Sequence, residues 1–364
     1  MKAPKRILVG TLVLLSLAAS ACGAGSSSVV EPGEALVVDG EKIADADLYA
    51  DAVEEGSFVF YTGSGEQTER NILDAFEEDT GIEGEILRLA PNKLTERILS
   101  EQSAGKLGAD VIRVSDANLV KSIEESGAFQ KHAVPAKAEL QKGAVRANGL
   151  YYRCFDRAYA VGYNTELVSK GVAPKSWADL VDTRWKKKLG IVQVGAGGST
   201  ASLTRFQFTK LDRGYLEAYA AQQPRIFDSA SGAIDAVARG EISVSPMTVG
   251  NAAGAISEGA PIRIVFPEEG LPTYEFFVGL ASKPPHPAAA KVFLNWTMSE
   301  AGQKLIAEQG DYPVRDGIPA PTIAGIKMPT AEQRPLVRLE QEDGLKYTRT
   351  DAEKWRKIFD YHGG

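Results

Sequence analysis

The sequence predicts an α/β protein built from two α/β units, and three observations lead to this fold class. From Ser57 onward, short β-rich runs alternate with segments of helical hydrophobic spacing, which is typical of a parallel sheet covered by helices. A second series with the same alternation begins after residues 158–163. The chain has 364 residues, enough for two lobes of ordinary domain size.

The first unit contains three predicted strand–helix pairs. Its strands cover residues 57–61, 82–89 and 109–114. Each following helix ends at a glycine, where a left-handed C-terminal residue is common. These glycines are Gly81, Gly105 and Gly127. Sheets of this kind bind ligands beyond the carboxyl ends of their strands, so we expect loops 62–66 and 115–117 to meet at one edge.

The second unit repeats this pattern with a glycine-rich turn. A predicted strand over residues 190–194 leads through the run GAGGST (195–200) into a helix. Residues 240–244 read as another strand, and residues 287–298 and 303–308 as helices. Free backbone N–H groups and the helix dipole favour an anion at such a helix start. A tight turn with an ordinary N-cap explains the same run equally well.

The first residues predict export. Basic residues precede an apolar run over residues 7–19, small residues follow, and Cys22 comes next. This order is that of a secretory signal, and the run is too short for an ordinary transmembrane helix. The cysteine resembles the acylated residue of a bacterial lipobox, so we predict a signal peptide over residues 1–21, lipidation of Cys22 and a flexible tether to residue 56. An ordinary signal with an incidental cysteine is the alternative.

Composition narrows the function classes. The net charge of -7 and pI near 5.3 give no electrostatic footprint for nucleic acid. Besides Cys22 only Cys154 is present, and we expect it to be a packed small side chain. The histidines His132, His286 and His362 are scattered without zinc-type spacing. No cofactor and no metal site are predicted from these residues.

An ordered set of short motifs resembles the family 1 extracellular solute-binding proteins, in particular the ferric-ion and phosphonate branch. The motifs are FVFYT (58–62), FEEDTGI (76–82), GADV (108–111), AYAVGYNT (158–165), PKSWADL (174–180), GEI (240–242), HP (286–287), FLNW (293–296), SEAGQ (299–303) and YPVR (312–315).

The resemblance implies a two-lobed fold of the periplasmic-binding-protein type, with two crossover strands and a solute held between the lobes. Lobe 1 would comprise residues 57–158 and 262–364, and lobe 2 residues 159–261. It further implies a monomeric, extracytoplasmic receptor, held to the membrane only by its lipid anchor. Its partners would be an ABC permease and ATPase, and it would have no catalytic residues.

The ferric branch commonly binds iron through a histidine, a glutamate and a tyrosine pair. The matching positions fall near Gly65, near Ser115 or Asp116, and near Gly250 and Asn251. Because only Asp116 is a plausible substitute ligand, a tyrosine-ligated ferric site is not expected. The adjacent Tyr151 and Tyr152 fit strand packing better than metal binding. Iron carried as an anionic complex stays open as an alternative.

The predicted site therefore suits a small anion such as a phosphonate, a sugar phosphate or a carboxylate. Arginines near the crossover could clamp an anion bidentately, although a structural ion pair is the alternative for each. Hydroxyl and amide side chains at the loop edges could add contacts, and Tyr274 fits packing as well as binding. The candidate residues are Gly63, Ser64, Asp116, Arg153, Arg157, Gly198, Ser199, Thr200, Thr248, Asn251 and Tyr274.

Two other function classes compete with a solute receptor. An envelope enzyme would need a catalytic constellation, and the sequence has no Gly-x-Ser-x-Gly elbow and no Cys–His pair near one predicted loop edge. A scaffold lipoprotein would need no cleft. The discriminating observation is whether a small molecule co-purifies with the protein.

Overall fold

The computed structural model describes residues 33–323 and 325–363. The helices are α1 (Ala46–Glu55), α2 (Glu66–Thr80), α3 (Pro91–Ser103), α4 (Ala117–Glu125), α5 (Gly198–Thr209), α6 (Tyr215–Ala221), α7 (Ala230–Ala238), α8 (Val249–Ser257), α9 (Pro287–Met298), α10 (Glu300–Glu308) and α11 (Gln341–Ile358). The strands are β1 (Leu36–Val38), β2 (Glu41–Ala44), β3 (Ser57–Thr62), β4 (Glu83–Arg88), β5 (Val111–Ser115), β6 (Phe129–Gln130), β7 (Val145–Arg146), β8 (Tyr151–Asn164), β9 (Gly190–Val192), β10 (Arg225–Phe227), β11 (Val244–Thr248), β12 (Ile262–Val265), β13 (Leu271–Ala281), β14 (Tyr312–Pro313), β15 (Thr322–Ile323), β16 (Ile326–Lys327) and β17 (Leu336–Arg338).

Two long strands connect the lobes, as the resemblance implied. A single sheet runs in the order β11-β8-β13-β5-β3-β4. In lobe 1, β3 pairs in parallel with β4 and β5, whereas β8 and β13 pair antiparallel to each other. Every residue of β8 is buried. This arrangement confirms the predicted α/β fold and places the carboxyl ends of β3, β4 and β5 at one edge of lobe 1.

Aromatic packing forms the core of each lobe. In lobe 1, Phe76 and Phe293 pack edge to face with ring centroids 5.1 Å apart. In lobe 2, Trp177 and Phe206 lie 5.6 Å apart and are buried. Burial of each such side chain contributes about 1.5–3 kcal/mol. Cys154 is fully buried as predicted, and burial raises its pKa to about 12.

The predicted tether is wrong in its second half. Strands β1 and β2 and helix α1 fold onto lobe 1, burying Leu36, Ile43 and Ala52. Asn295 of α9 donates a hydrogen bond to the Ile43 carbonyl at 2.9 Å. The apolar residues of this segment therefore belong to the core. The predicted signal peptide, Cys22 and the Gly/Ser run after it lie outside the described residues.

Two further boundaries differ from the sequence prediction. The strand expected at residues 240–244 starts only at Val244, because Gly240 adopts a φ of 73° in the turn that closes α7. The C-terminal helix α11 was expected in lobe 1, but Phe359 at its end packs against Tyr219 of α6 in lobe 2, with ring centroids 6.4 Å apart. Within residues 33–323 and 325–363, no helix is long and apolar enough to cross a membrane.

Candidate functional site

A cavity lies between the lobes, at the edge where the lobe 1 strands end. It encloses about 570 Å³, counting the part open to solvent. Lobe 1 supplies the loop after β3 and the end of β4, and lobe 2 supplies the starts of α5 and α7. The lobes touch beside it, since the Asn92 amide donates to the Gly195 carbonyl at 2.9 Å. The site thus belongs to both lobes.

Five helix N-termini contribute residues to the cavity wall, those of α2, α3, α5, α7 and α8. Four of them have no side-chain hydrogen bond at the N-cap, and only Ser229 of α7 caps its own helix. Backbone N–H groups of a first helical turn lack intrahelical partners, and the helix dipole adds partial positive charge there. A wall of this kind favours a bound anion.

Glycines bring the backbone close to the cavity. Gly63, Gly65 and Gly197 all line it, and Gly197 has a φ of 147°, a left-handed conformation that favours glycine. A Cβ atom at Gly65 would lie 2.9 Å from Oδ1 of Asn251 in the other lobe. A larger residue at Gly65 would therefore displace the Asn251 side chain.

Arg157 forms the floor of the cavity and is fully engaged with protein groups. Its guanidinium makes a bidentate ion pair with Asp311, with Nε donating at 2.7 Å, and Nη1 donates to Oδ1 of Asn251 at 2.7 Å and to Oγ of Ser64 at 3.3 Å. Burial alone would lower the pKa of Arg157, but the charge of Asp311 raises it. The floor is therefore a neutral pair that links β8, lobe 1 and lobe 2.

Arg88 and Asp228 are the charged cavity residues that the sequence analysis missed. Arg88, the last residue of β4, is exposed and donates from Nε to the Ser64 carbonyl at 3.1 Å. Asp228 precedes α7 and accepts from the Tyr361 hydroxyl at 3.4 Å. Among the described residues neither forms a salt bridge within 4 Å. Both charges are thus available to a ligand.

The sequence matches the family described as bacterial extracellular solute-binding protein over residues 71–331. The chain belongs to this family. Its members are transport binding proteins that work with ABC permease and ATPase components. The two-lobed architecture around the cavity is that of a solute-binding protein.

Two relatives differ in what their names say they bind. Iron uptake protein A1 of Synechocystis is 25% identical over 326 residues, covering 81% of this chain and 86% of that protein. A periplasmic protein of Salmonella typhimurium, assigned as 2-aminoethylphosphonate-binding, is 24% identical over 299 residues, covering 79% of this chain and 86% of that protein. The names of these two relatives therefore indicate two different kinds of solute, iron and a phosphonate.

Solved structures share the fold. AfuA from Actinobacillus pleuropneumoniae, with fructose-6-phosphate bound, gives a TM-score of 0.70 at 17% identity, covering 84% of this solute-binding protein and 99% of AfuA. Iron-bound HitA from Pseudomonas aeruginosa gives 0.65 at 20% identity, covering 82% and 99%. The same fold therefore accommodates a sugar phosphate in one protein and iron in another.

Six of the predicted site residues line the cavity between the lobes. These are Gly63, Ser64, Ser199, Asn251 and Tyr274, together with the Arg157 floor. The ring of Tyr274 is 6.1 Å from that of Tyr159, whose hydroxyl lies near Ser199 and has no hydrogen-bond partner among the described residues. Burial raises the pKa of Tyr159 to about 12. Their roles in binding stay predictions.

Two predicted residues lie at a contact between the lobes beside the cavity. A Cβ atom at Gly198 would lie 2.7 Å from Cα of Asp116. The carboxylate of Asp116 caps α4 by accepting from the backbone N–H of Asn118 at 2.7 Å and of Leu119 at 3.2 Å. Asp116 therefore has a structural task, and burial raises its pKa.

Three predicted residues do not line the cavity. Arg153 donates to Asp156 at 2.6 Å and to Gln141 at 3.1 Å. The Thr200 hydroxyl donates to carbonyls at the start of α5. Thr248 is the buried N-cap residue of α8. The Arg153 and Thr200 side chains are thus engaged with protein groups, whereas the buried Thr248 hydroxyl has no hydrogen-bond partner among the described residues.

The position of the tyrosine pair in the ferric branch is occupied by a glycine in tight contact. A Cβ atom at Gly250 would lie 2.7 Å from Oδ1 of Asp311 and 2.8 Å from Nε of Arg157. A tyrosine there would require the buried pair to move. Within the described part of the chain, no group of three or more His, Cys, Asp or Glu side chains could hold a metal ion.

Proposed function

We propose that this protein is the lipid-anchored, extracytoplasmic receptor of an ABC importer and that it binds a small anionic solute between its lobes. The observation that carries the proposal is the convergence of five helix N-termini on one cavity. Charge-assisted hydrogen bonds are worth about 1.5–3 kcal/mol each. Several such bonds would suffice for tight binding of a small anion.

Arg88 supports the anion proposal because it is the cavity's unpaired cation among the described residues. Its planar guanidinium can bind phosphonate or carboxylate oxygens in a bidentate manner. Arg157 contributes differently. Since Asp311 already neutralises it, we assign Arg157 to holding Ser64 and Asn251 in place rather than to clamping the anion.

Asp228 suggests the first phosphonate to test. A carboxylate on the same cavity wall can pair with a ligand amine, and a relative is assigned as a 2-aminoethylphosphonate-binding protein. We therefore name 2-aminoethylphosphonate as the lead probe and methylphosphonate, which lacks the amine, as its matched comparison.

Iron bound as an anionic complex is the second candidate. The Synechocystis relative is an iron uptake protein, and the Trichodesmium structure with iron and citrate has this fold, with a TM-score of 0.60. Tyr274 lines the cavity, and anion-favouring walls suit the carboxylates of a chelator. Ferric citrate therefore belongs in the same screen.

The experiment combines native mass spectrometry of freshly purified protein with a thermal-shift screen. The screen contains phosphonates, sugar phosphates, carboxylates, ferric citrate, amines and neutral sugars, because a ligand of the native state raises the melting temperature. Stabilisation by anions alone supports the proposal, and stabilisation only by amines or neutral sugars refutes it. Recovery of the solute unchanged distinguishes a receptor from an enzyme.

Lipid anchoring is tested separately. Replacing Cys22 with alanine should abolish metabolic labelling by a fatty acid. Unchanged labelling of this variant would show that the anchor lies elsewhere.

A further inference from the structure

Helix α11 lies outside the region that matches the family, which ends at residue 331. It follows β17, which pairs in parallel with the connecting strand β13. Arg338 of β17 donates from Nε to Asp156 of the other connecting strand at 3.0 Å. The chain therefore leaves the hinge between the lobes immediately before α11 begins.

The second half of α11 is anchored in lobe 2. Trp355 is buried and stacks on Phe359 with ring centroids 4.3 Å apart. Phe359 in turn packs against Tyr219 of α6. In the first half of α11, the guanidinium of Arg205 on α5 lies 3.7 Å from the centroid of the Tyr347 ring, which adds a further contact with lobe 2. Burial of a tryptophan makes this the stronger attachment of the helix.

The first turn of α11 instead touches lobe 1. Gln341 donates to the hydroxyl of Tyr151 at 3.2 Å. Gly344 faces the start of α4 so closely that a Cβ atom on it would lie 3.0 Å from Cβ of Ala117. The neighbouring residue Asp116 meets Gly198 of α5 in the same way. At the start of α4, lobe 1 therefore contacts two glycines, Gly198 of α5 and Gly344 of α11, and both of these helices pack in lobe 2.

We propose that α11 is a strap that moves with lobe 2 and seats Gly344 on Ala117 only when the lobes are closed. The strong contacts with lobe 2 and the small contact with lobe 1 give it this asymmetry. Hinge closure around ligand is the transition that periplasmic binding proteins make. Gly344 and Ala117 are therefore positioning residues for solute binding, since the space between them sets how far the lobes close.

The test enlarges Gly344 and measures the lobes without any ligand. Spin labels are placed on an exposed position of α2 and on the exposed residue that follows α8 by Glu77→Cys and Glu258→Cys in the full chain carrying Cys22→Ala. Buried Cys154 stays unlabelled. Gly344→Leu should shift the distance distribution between the labels to longer values, and Gly344→Ala should shift it less.

A compensating variant separates closure from damage to the fold. Ala117→Gly combined with Gly344→Ala restores the space and should return the distribution to that of the parent. Gly254→Ala is the matched control, because it adds a Cβ to a glycine within a helix that has nothing within 4 Å. If Gly344→Ala and Gly344→Leu both leave the distribution unchanged, or if Ala117→Gly fails to rescue Gly344→Ala, the strap is refuted.

Affinity gives an independent readout once a probe binds. With 2-aminoethylphosphonate as the probe, Gly344→Leu should weaken binding about tenfold while the cavity residues stay intact. Parent-like affinity in Gly344→Leu would contradict the positioning role. Failure of the parent itself to bind the probe would refute that solute, whereas the label distances would still decide the strap.

Discussion

Replacing Arg88 should weaken solute binding with little effect on folding stability, whereas replacing Arg157 should mainly lower folding stability. Arg88 is exposed, and among the described residues its only polar contact is the bond to the Ser64 carbonyl. Loss of such a contact costs about 1 kcal/mol or less of folding stability. Loss of a charge-assisted bond to a bound anion costs about 1.5–3 kcal/mol, so Arg88→Ala should weaken binding roughly tenfold to a hundredfold.

Arg157→Ala should have the opposite profile. The guanidinium is buried in an ion pair with Asp311, and removing one partner leaves an uncompensated buried charge. Such changes cost about 3–5 kcal/mol of folding stability. The melting temperature should therefore fall sharply in Arg157→Ala and hardly at all in Arg88→Ala.

The assay is calorimetric titration with 2-aminoethylphosphonate, or with the anion that the screen identifies, alongside urea unfolding of each variant. Arg70→Ala is the matched control, because Arg70 pairs with Glu66 on the exposed surface of α2. Parent-like affinity in Arg88→Ala would refute the role of Arg88. Parent-like stability in Arg157→Ala would refute the neutral, structural floor.

Three further predictions concern the fold around the site. Gly250→Ala should lower the free energy of unfolding by about 1–3 kcal/mol, because the new Cβ meets the buried pair beneath it, and urea unfolding measures this. Trp355→Ala should cost about 3–5 kcal/mol by the same assay, since it empties a fully buried site; a smaller loss would contradict the anchoring of α11. Burial raises the pKa of Glu275 to about 7, with Arg146 opposing the shift. The protonated carboxyl therefore favours the folded state, and this contribution should fade as the pH rises from about 4.5 to about 7. Glu275→Gln should flatten that dependence in unfolding curves taken across the range, and an unchanged slope would contradict the assignment.

The alternation of strands and helices predicted the fold of lobe 1 because it depends only on local periodicity. The predicted strand over residues 82–89 exceeds β4 by one residue at each end. Ser64 was selected because ligands bind beyond the carboxyl ends of parallel strands, and the same rule applies to Arg88 at the end of β4. Arg88 could therefore have been found from the sequence. Asp228 could not, because its position depends on how lobe 2 faces lobe 1.

Arg153 shows where sequence periodicity fails. In a regular strand, Arg153 and Arg157 would point to the same face, since four residues separate them. However, Phe155 pairs with Phe276, and Arg153 pairs with the next residue, Phe277, which leaves Cys154 as an extra residue in β8. Such a bulge reverses the alternation of side chains, so Arg153 turns towards Asp156 and Arg157 towards the cavity. Nothing in the local sequence marks this bulge.

The Arg157–Asp311 ion pair explains why position 250 is a glycine. The Arg157–Asp311 pair occupies the space next to Gly250, and the same guanidinium holds Ser64 and Asn251. A side chain at position 250 could enter the cavity only by breaking a buried ion pair, which is strongly unfavourable. The floor is consequently neutral and fixed, so the selectivity for charge must come from the walls. Among the described residues those walls carry one unpaired guanidinium, Arg88, and one carboxylate, Asp228, so the net preference for an anion comes from the helix N-termini without side-chain caps.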